Sequence, residues 1–380
     1  MTWLAPVLSP TVERMASNPV PATIDHDVAA RLPDAVRATA TDEGFSGVVR
    51  VSSAGALVYE EAFGLASRRW SVPVATTTRF DVASVTKLFT SVAVLQQVDA
   101  GALDLDAPIG TWLSLSETTI SPDITLRQLL THTSGIADDA DEEAGESYAA
   151  LWVDRPSYSV TTTADLLPQF AHKPPRAAPG EDCRYCNVGY VLAGLVLEAV
   201  TGTPYREHVV EHVFARAGME RAGFFHMAEA EPDVAEGWDP VHQGDDEGSP
   251  VVGWRQNIYS YPPIGSPDGG AHVSAQDLEA FMTALRAGRL LSSELTEAFL
   301  TPQVLHHTDD DVAVHHAFGL EVEVRPDGTV RSLSKDGINA GASAILRWYP
   351  ASDTTLVVLS NSEGGAWGPI STLDARLAGS

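Results

Sequence analysis

The first strong pattern along the chain is a pair of short apolar runs separated by a turn. Residues 48–51 are mostly valine, residues 52–55 are small and polar, and Leu57, Val58 and Tyr59 follow. Short runs rich in β-branched and aromatic residues on either side of a turn predict a β-hairpin over residues 45–64.

From Ser84 onwards the apolar period changes. Apolar side chains now recur in steps of three and four, at Val85, Leu88, Phe89, Val92, Leu95 and Val98. This spacing predicts an amphipathic helix that ends near Gly101. Similar signals predict helices over residues 126–130, 188–200 (closed by Gly202), 274–285 (opened by the capping pair Ser274 and Asp277) and about 369–378.

A period of two returns after residue 315. Leu320, Val322 and Val324 alternate with polar residues as far as a turn at 326–328, and Val330 begins the return. Residues 344–348 and 354–359 predict two more strands. Strands at both ends of the chain and helices between them predict an α+β fold, in which the two ends share an antiparallel sheet.

The predicted organisation is one catalytic unit over residues 25–380. Its α/β part covers about 25–100 and 300–380, a helical insertion covers about 100–300, and residues 1–24 form an N-terminal extension. Two acidic stretches, 138–146 and 229–247, interrupt the middle part. We interpret them as solvated loops, with the alternative that they rim a cleft and attract a cation.

Composition and charge narrow the classes of partner. The 380 residues include 24 Lys and Arg against 51 Asp and Glu, a formal net charge of −27, which repels nucleic acids and anionic lipid surfaces. Apolar runs are short, so no membrane span is expected. Residues 1–21 lack the charged leader of a secretory signal, which favours a cytoplasmic location. The oligomeric state is left open.

The candidate chemistry begins at Ser84 and Lys87. The serine stands at the predicted helix start and the lysine lies one turn further on the same face. A helix N-terminus stabilises developing negative charge, and a desolvated lysine has a lowered pKa that lets it accept a proton. The S-x-x-K pattern alone is weak, since a capping serine and a surface lysine give the same letters.

Two later features strengthen the catalytic interpretation. Tyr185 and Asn187 precede a predicted helix, and Lys335-Asp336-Gly337 precedes a predicted strand. A serine, two lysines, a tyrosine and an amide are the groups that acyl transfer needs for attack, proton relay, orientation and oxyanion binding.

These motifs resemble the serine β-lactamase and penicillin-binding-protein superfamily, and within it the class C β-lactamase-like branch of esterases, D-aminopeptidases and acyltransferases. In this branch a Y-x-N motif replaces S-D-N. The resemblance extends, in order, over residues 81–87, 124–136, 185–190, 269–278, 318–320 and 357–361. It implies a β-lactamase/transpeptidase-like fold, with an antiparallel sheet flanked by helices and an inserted helical domain.

The resemblance also implies roles for the motif residues. Ser84 would be the acylated nucleophile, while Lys87 and Tyr185 would share the general-base and general-acid work. Asn187 would orient the lysine and the acyl side of the substrate.

The third motif would form the other wall of the site. Lys335 and Gly337 would line its strand edge, and the backbone N–H groups of Ser84 and Ile338 would form the oxyanion hole. No cofactor and no metal are expected.

Two departures limit the functional prediction. Asp336 stands where relatives commonly carry Thr, Ser or Gly, and a carboxylate there would repel a substrate carboxylate. Cys186 replaces a small residue of the Y-x-N motif. We therefore expect a serine hydrolase that acts on neutral or cationic carboxylic esters or amides. An acyltransferase using the same serine, a β-lactamase or penicillin-binding protein, and a catalytically silent binding or sensor domain remain alternatives.

Several other residues have both a functional and a structural interpretation. His208 and His212 spell H-x-x-E-H, but no third zinc ligand is indicated, so a structural helix is favoured. His132 is expected to be a buried hydrogen-bonding residue. The C-x-x-C of Cys183 and Cys186 lacks the context of a redox motif. Four histidines are expected in a solvated loop: His306, His307, His315 and His316.

Overall fold

The computed structural model describes residues 23–244 and 249–378. Residues 1–22 lie outside this part; they include the segment from which a cytoplasmic location was predicted and most of the predicted N-terminal extension. The strands in chain order are β1 Gly47–Ser53, β2 Ala56–Phe63, β3 Leu65–Ser67, β4 Val72–Pro73, β5 Phe80–Asp81, β6 Trp238–His242, β7 Val251–Gln256, β8 His272–Val273, β9 Val304–Asp309, β10 Val312–His316, β11 Glu321–Val324, β12 Val330–Asn339, β13 Ala342–Tyr349 and β14 Thr354–Ser360.

The helices alternate with many short 3₁₀ turns. They are α1 His26–Glu43, α2 Thr86–Asp99, α3 Leu126–Leu130, α4 Asn187–Thr201, α5 Tyr205–Val209, α6 Ala215–Ala217, α7 Ala275–Arg286, α8 Ser293–Phe299 and α9 Trp367–Leu377. A π-helical turn, Val210–Phe214, joins α5 to α6. None of the helices in the described ranges combines the length and the apolar character that crossing a membrane requires.

One antiparallel sheet organises the molecule. Its strand order is β2-β1-β14-β13-β12-β11-β10-β9, so the N-terminal hairpin pairs with the last strand of the chain. Residues 47–53 of β1 lie opposite residues 354–360 of β14. This pairing confirms the prediction that the two ends of the chain share a sheet.

The sheet is buried on both faces, as the alternation along β14 shows. Leu356 and Val358 pack with α1 and α9, whereas Val357 and Leu359 pack with the larger cluster that contains α2, α4 and α7. Successive side chains of a strand point to opposite faces, so one strand contributes to two apolar clusters. Helix α2 is buried on nearly all sides within the larger cluster.

Most elements predicted from periodicity are confirmed. The hairpin corresponds to β1 and β2, and the helix after Ser84 corresponds to α2. Helices α3, α4, α7 and α9 and strands β11 to β14 lie where the patterns placed them. Helix α7 begins with the expected capping box, in which Ser274 and Asp277 exchange hydrogen bonds. The exact division into α/β part and helical insertion stays a prediction.

Two predictions of loops were wrong. His306 and His307 lie in β9, His315 and His316 lie in β10, and His316 is buried. The stretch 229–247 contains β6, which forms a hairpin with β7. In both places pairing with a neighbouring strand decides the structure, and the polar composition of the segment does not reveal it.

Candidate active site

Ser84 lies in a 3₁₀ turn, Ala83–Val85, that leads directly into α2. Its neighbour Ala83 has a φ of +42°, a left-handed conformation that is uncommon for a residue with a side chain. The Asp81 carboxylate holds this turn by accepting the Ala83 N–H at 2.7 Å, and it also accepts the Tyr261 hydroxyl at 3.1 Å. The strained turn therefore has a specific anchor next to the serine.

Lys87 is completely buried behind the serine. Its ammonium donates hydrogen bonds to Ser84 Oγ at 3.0 Å, to Asn187 Oδ1 at 2.7 Å and to the Asp268 carbonyl at 2.6 Å. Burial lowers the pKa of Lys87 to about 8, with a smaller lowering from the Lys335 charge and an opposing effect of Asp268. This lysine can therefore lose and regain a proton near neutral pH.

Tyr185 approaches the serine from the other side. Its hydroxyl donates to Ser84 Oγ at 2.8 Å, so the serine oxygen is held between the tyrosine and Lys87. Burial raises the pKa of Tyr185 well above its usual range. The phenol is consequently protonated at neutral pH and is able to donate its proton.

Asn187 is positioned by two acidic residues that the sequence analysis had assigned to a solvated loop. Asp138 is buried and accepts the backbone N–H groups of Asn187 and Val188 at 2.9 and 3.0 Å, which fixes the start of α4. Glu142 accepts the Asn187 side-chain N–H at 2.8 Å, so the amide oxygen faces Lys87. No local pattern in the sequence identifies contacts between residues about 45 positions apart.

Gly337 brings strand β12 against the serine turn. A Cβ atom at this position would lie 2.2 Å from the Val82 carbonyl oxygen and 2.9 Å from the Ser84 backbone nitrogen. Only glycine permits this approach. Ile338, the next residue, is exposed and lines the cleft in front of the serine.

Lys335 is buried on the same strand, with its ammonium 5.0 Å from the centre of the Tyr185 ring. It donates to the Asp336 carboxylate at 2.8 Å and lies 4.0 Å from Glu321. Burial alone would lower the pKa of Lys335, but the neighbouring carboxylates outweigh it and raise that pKa. Lys335 is therefore a permanent cation with its own counter-ions.

A cleft of about 470 Å³ opens in front of Ser84. Its wall includes Tyr148, Met227, Asn257, Tyr261 and Ile338, and its carboxylates are Asp81, Glu142, Glu146, Asp239, Asp268 and Glu363. Arg255 also lines it. The acidic stretch 138–146 thus reaches the cleft, as the alternative interpretation of that stretch proposed.

His132 occupies a structural position, as expected. It is buried, accepts the Cys186 backbone N–H at 3.1 Å, and its ring lies 4.6 Å from that of Tyr185. Burial lowers the pKa of His132 well below its usual value, so the imidazole is neutral. It supports Tyr185 from behind and does not contact the serine in the described hydrogen bonds.

The described residues contain no group of three or more His, Cys, Asp or Glu side chains placed to hold a metal ion. His208 and His212 have their ring centres 4.4 Å apart within α5 and the π-helical turn that follows it. Cys183 and Cys186 are free thiols, and Cys186 is buried.

The structure thus brings the predicted residues of three separate motifs together. Ser84, Lys87, Tyr185 and Asn187 form one hydrogen-bonded group, and β12 closes it with Gly337 and Lys335. A serine in contact with a buried lysine and a tyrosine, next to an antiparallel sheet, is the arrangement of the serine acyl-transfer enzymes.

The chain belongs to the Beta-lactamase family, whose sequence model matches residues 32–379. Esterase EstB from Burkholderia gladioli is 30% identical over 299 residues, which are 74% of this chain and 72% of the esterase. The D-aminopeptidase from Brucella anthropi is 29% identical over 335 residues, which are 85% of this chain and 57% of that enzyme.

Comparison with solved structures gives the same fold. The crystal structure of a penicillin binding protein from Bacillus halodurans has a TM-score of 0.82 and 34% sequence identity. The match covers 90% of this chain and 99% of that protein. The β-lactamase/transpeptidase-like fold predicted from the motifs is therefore confirmed.

Proposed function

We propose that this protein is a serine hydrolase that cleaves neutral or cationic carboxylic esters or amides through an acyl-enzyme on Ser84. The observation that carries the proposal is the position of Ser84 Oγ, which lies within hydrogen-bond distance of both a buried lysine and a protonated tyrosine. The names of the esterase and D-aminopeptidase relatives support this class of reaction. The carboxylates in the cleft support the choice of a neutral or cationic substrate.

In the acylation step, Ser84 Oγ attacks the carbonyl carbon and its proton passes to neutral Lys87. The bond to the leaving group breaks, and the leaving oxygen or nitrogen takes the Tyr185 proton. Lys87, whose amine lies 5.0 Å from the centre of the Tyr185 ring, then returns its proton to the Tyr185 phenolate, which restores both groups. In the second step, water attacks the acyl-enzyme, the acid is released, and Ser84 regains a proton.

The negative oxygen formed during each attack requires hydrogen-bond donors. We assign this role to the backbone N–H groups of Ser84 and Ile338. The close packing of Gly337 on the serine turn supports the assignment, because it brings the two backbone segments to the same side of the cleft. The cytoplasmic location and the absence of nucleic-acid and membrane partners stay predictions from charge and sequence pattern.

Replacement of the nucleophile tests the proposal. Ser84→Ala is expected to lower kcat by about 10³-fold or more on 4-nitrophenyl acetate, 4-nitrophenyl butyrate and D-alanine 4-nitroanilide, whichever the wild type turns over. The matched control is Ser293→Ala, the same change at the exposed start of α8, which is expected to leave the rate unchanged. Thermal unfolding should show both variants folded. Retention of wild-type turnover by Ser84→Ala would overturn the proposal.

A further inference from the structure

Lys335 would be expected to attract anionic substrates, because its buried ammonium lies beside Tyr185 at the edge of the site. Two carboxylates of this chain surround it instead. Asp336 Oδ1 lies 2.8 Å from the ammonium nitrogen, and Glu321 Oε1 lies 4.0 Å away. Asp336 is thus the direct counter-ion of Lys335, while burial raises the pKa of the more distant Glu321.

Asp336 remains ionised in this arrangement. Burial would raise the pKa of its carboxyl, but the Lys335 charge outweighs this effect and lowers that pKa. Its side chain is 41% exposed, whereas that of Lys335 is 4% exposed. A ligand arriving from solvent therefore meets the carboxylate before it meets the ammonium.

Residues 335–339 of β12 lie beyond the last pairing of this strand with β11, so Asp336 stands at an open strand edge. Side chains two residues apart on a strand point to the same face, and Ile338 lines the cleft. Gly337, of opposite orientation, packs against the turn that carries Ser84. At this edge the Asp336 carboxylate contacts the Lys335 ammonium, which lies 5.0 Å from the centre of the Tyr185 ring.

The part of the substrate that lies beside Tyr185 is the leaving group. Tyr185 donates the proton that the leaving group takes, and Lys335 with its two carboxylates lies on the Tyr185 side of the serine. The Asp336 charge also contributes to the raised pKa of Tyr185, so the two groups are close enough to interact. The acyl side lies in the cleft that Asn187 and Tyr261 line.

We propose that Asp336 determines substrate specificity. It neutralises the charge of Lys335 and repels esters and amides whose leaving group carries a carboxylate. This inference rests on the proposed function, because it assigns the leaving-group side of the same site. It makes Asp336 a residue that selects among substrates and performs no bond-breaking step.

A pair of thioesters that differ only in the charge of the leaving group tests this role. The substrates are S-benzoylthioglycolic acid and its primary amide, with the released thiol measured by a chromogenic disulfide. The wild type should prefer the amide. Asp336→Asn should raise kcat/KM for the acid about tenfold relative to the amide, as expected for removal of one charge several ångströms away at the rim of a protein.

Two controls separate specificity from other effects. Asp309→Asn removes an equal charge from the exposed end of β9 and should leave the acid-to-amide ratio unchanged. In the double variant Asp336→Asn/Lys335→Met the gain should disappear, because the uncovered cation is its source. A gain of similar size for both substrates, an unchanged ratio in Asp336→Asn, or a gain that persists without Lys335 would overturn the proposal.

Binding to an inactive background distinguishes this inference from the proposed function. N-benzoylglycine and N-benzoylglycinamide, titrated into Ser84→Ala and into Ser84→Ala/Asp336→Asn, repeat the charge comparison without turnover. The second protein should gain about tenfold in affinity for the acid alone. Absence of that gain overturns the role of Asp336. The gain without any Ser84-dependent turnover in the wild type would overturn the hydrolase and leave the selectivity in place.

Discussion

The protonation state of Lys87 controls the proposed reaction at the scale of single residues. Only the neutral amine can accept the Ser84 proton, and burial lowers its pKa to about 8. Because Tyr185 has a raised pKa, it cannot replace the lysine as a base near neutral pH. The two groups therefore have separate tasks, with Lys87 as base and Tyr185 as acid.

This division predicts the pH dependence of activity. For a neutral ester, kcat/KM should rise with pH along a single limb with an apparent pKa of about 8, since the neutral fraction of Lys87 grows as pH rises. Initial rates between pH 5.5 and 10, corrected for spontaneous hydrolysis, measure the limb. A midpoint near the ordinary lysine value, or a rate that falls through pH 8, would contradict the assignment.

Two variants test which residue causes the rise of kcat/KM with pH. Lys87→Arg places a permanent cation at the same point and should lose about 10²-fold or more in rate at every pH. Tyr185→Phe should lose a similar factor while keeping the midpoint, because it removes the acid and leaves the base in place. If kcat/KM of Tyr185→Phe no longer rose with pH, the titrating group would be the tyrosine and not Lys87.

The residue-scale chemistry was predictable from the sequence in part. Two of the chain's three lysines fall in motif positions, and the motifs identified Ser84, Lys87 and Tyr185 as a group. The pairing of Lys335 with Asp336 was not predictable. Adjacent residues of a strand normally point to opposite faces, so their contact depends on how long, flexible side chains settle in the folded site.

At the scale of elements, the site depends on how closely β12 approaches the serine turn. Gly337→Ala places a methyl group 2.2 Å from the Val82 carbonyl oxygen, and the strand must move away. A displacement of this kind should lower kcat/KM about 10²-fold, because small shifts of catalytic groups are costly. Overpacking should also cost about 1–3 kcal/mol in the free energy of unfolding, measured in urea.

A second strand glycine provides the matched control. Gly253 in β7 has nothing within 4 Å of the position that a Cβ would take. Gly253→Ala should therefore change the free energy of unfolding by less than about 0.5 kcal/mol and leave the activity unaltered. Wild-type activity in Gly337→Ala would show that the close approach does not matter to catalysis.

The elements that periodicity predicted are those with a strong local pattern. Helices α2 and α4 show a regular apolar period, and α7 carries its own capping box. Strands β9 and β10 have no such signal, because their histidines take strand conformation only by pairing with each other and with β11. Helix α1 was not predicted, and Pro33 lies within it.

At the scale of the whole molecule, the sheet and the helical part together create a site that neither contains alone. Strand β12 belongs to the sheet, Ser84 opens a helix packed on that sheet, and Asn187 begins a helix in the middle of the chain. The sequence motifs predicted that these segments meet. The acidic wall of the cleft was offered only as an alternative, since the course of the stretch 138–146 depends on contacts of Asp138 with α4.

The central claim is that Ser84 carries the acyl group during turnover, and the mass of the intact protein tests it most directly. The wild type is mixed with the 4-nitrophenyl ester or thioester that it turns over, quenched in acid within the steady state, and analysed by intact mass and peptide mapping. We predict a single added acyl group on the peptide that contains Ser84, which decays once the substrate is exhausted and is missing from Ser84→Ala. If the wild type shows a pre-steady-state burst of product and its mass is nevertheless unmodified at every quench time, the account is contradicted. An acyl group on another residue, lost at the rate of turnover, would contradict it as well.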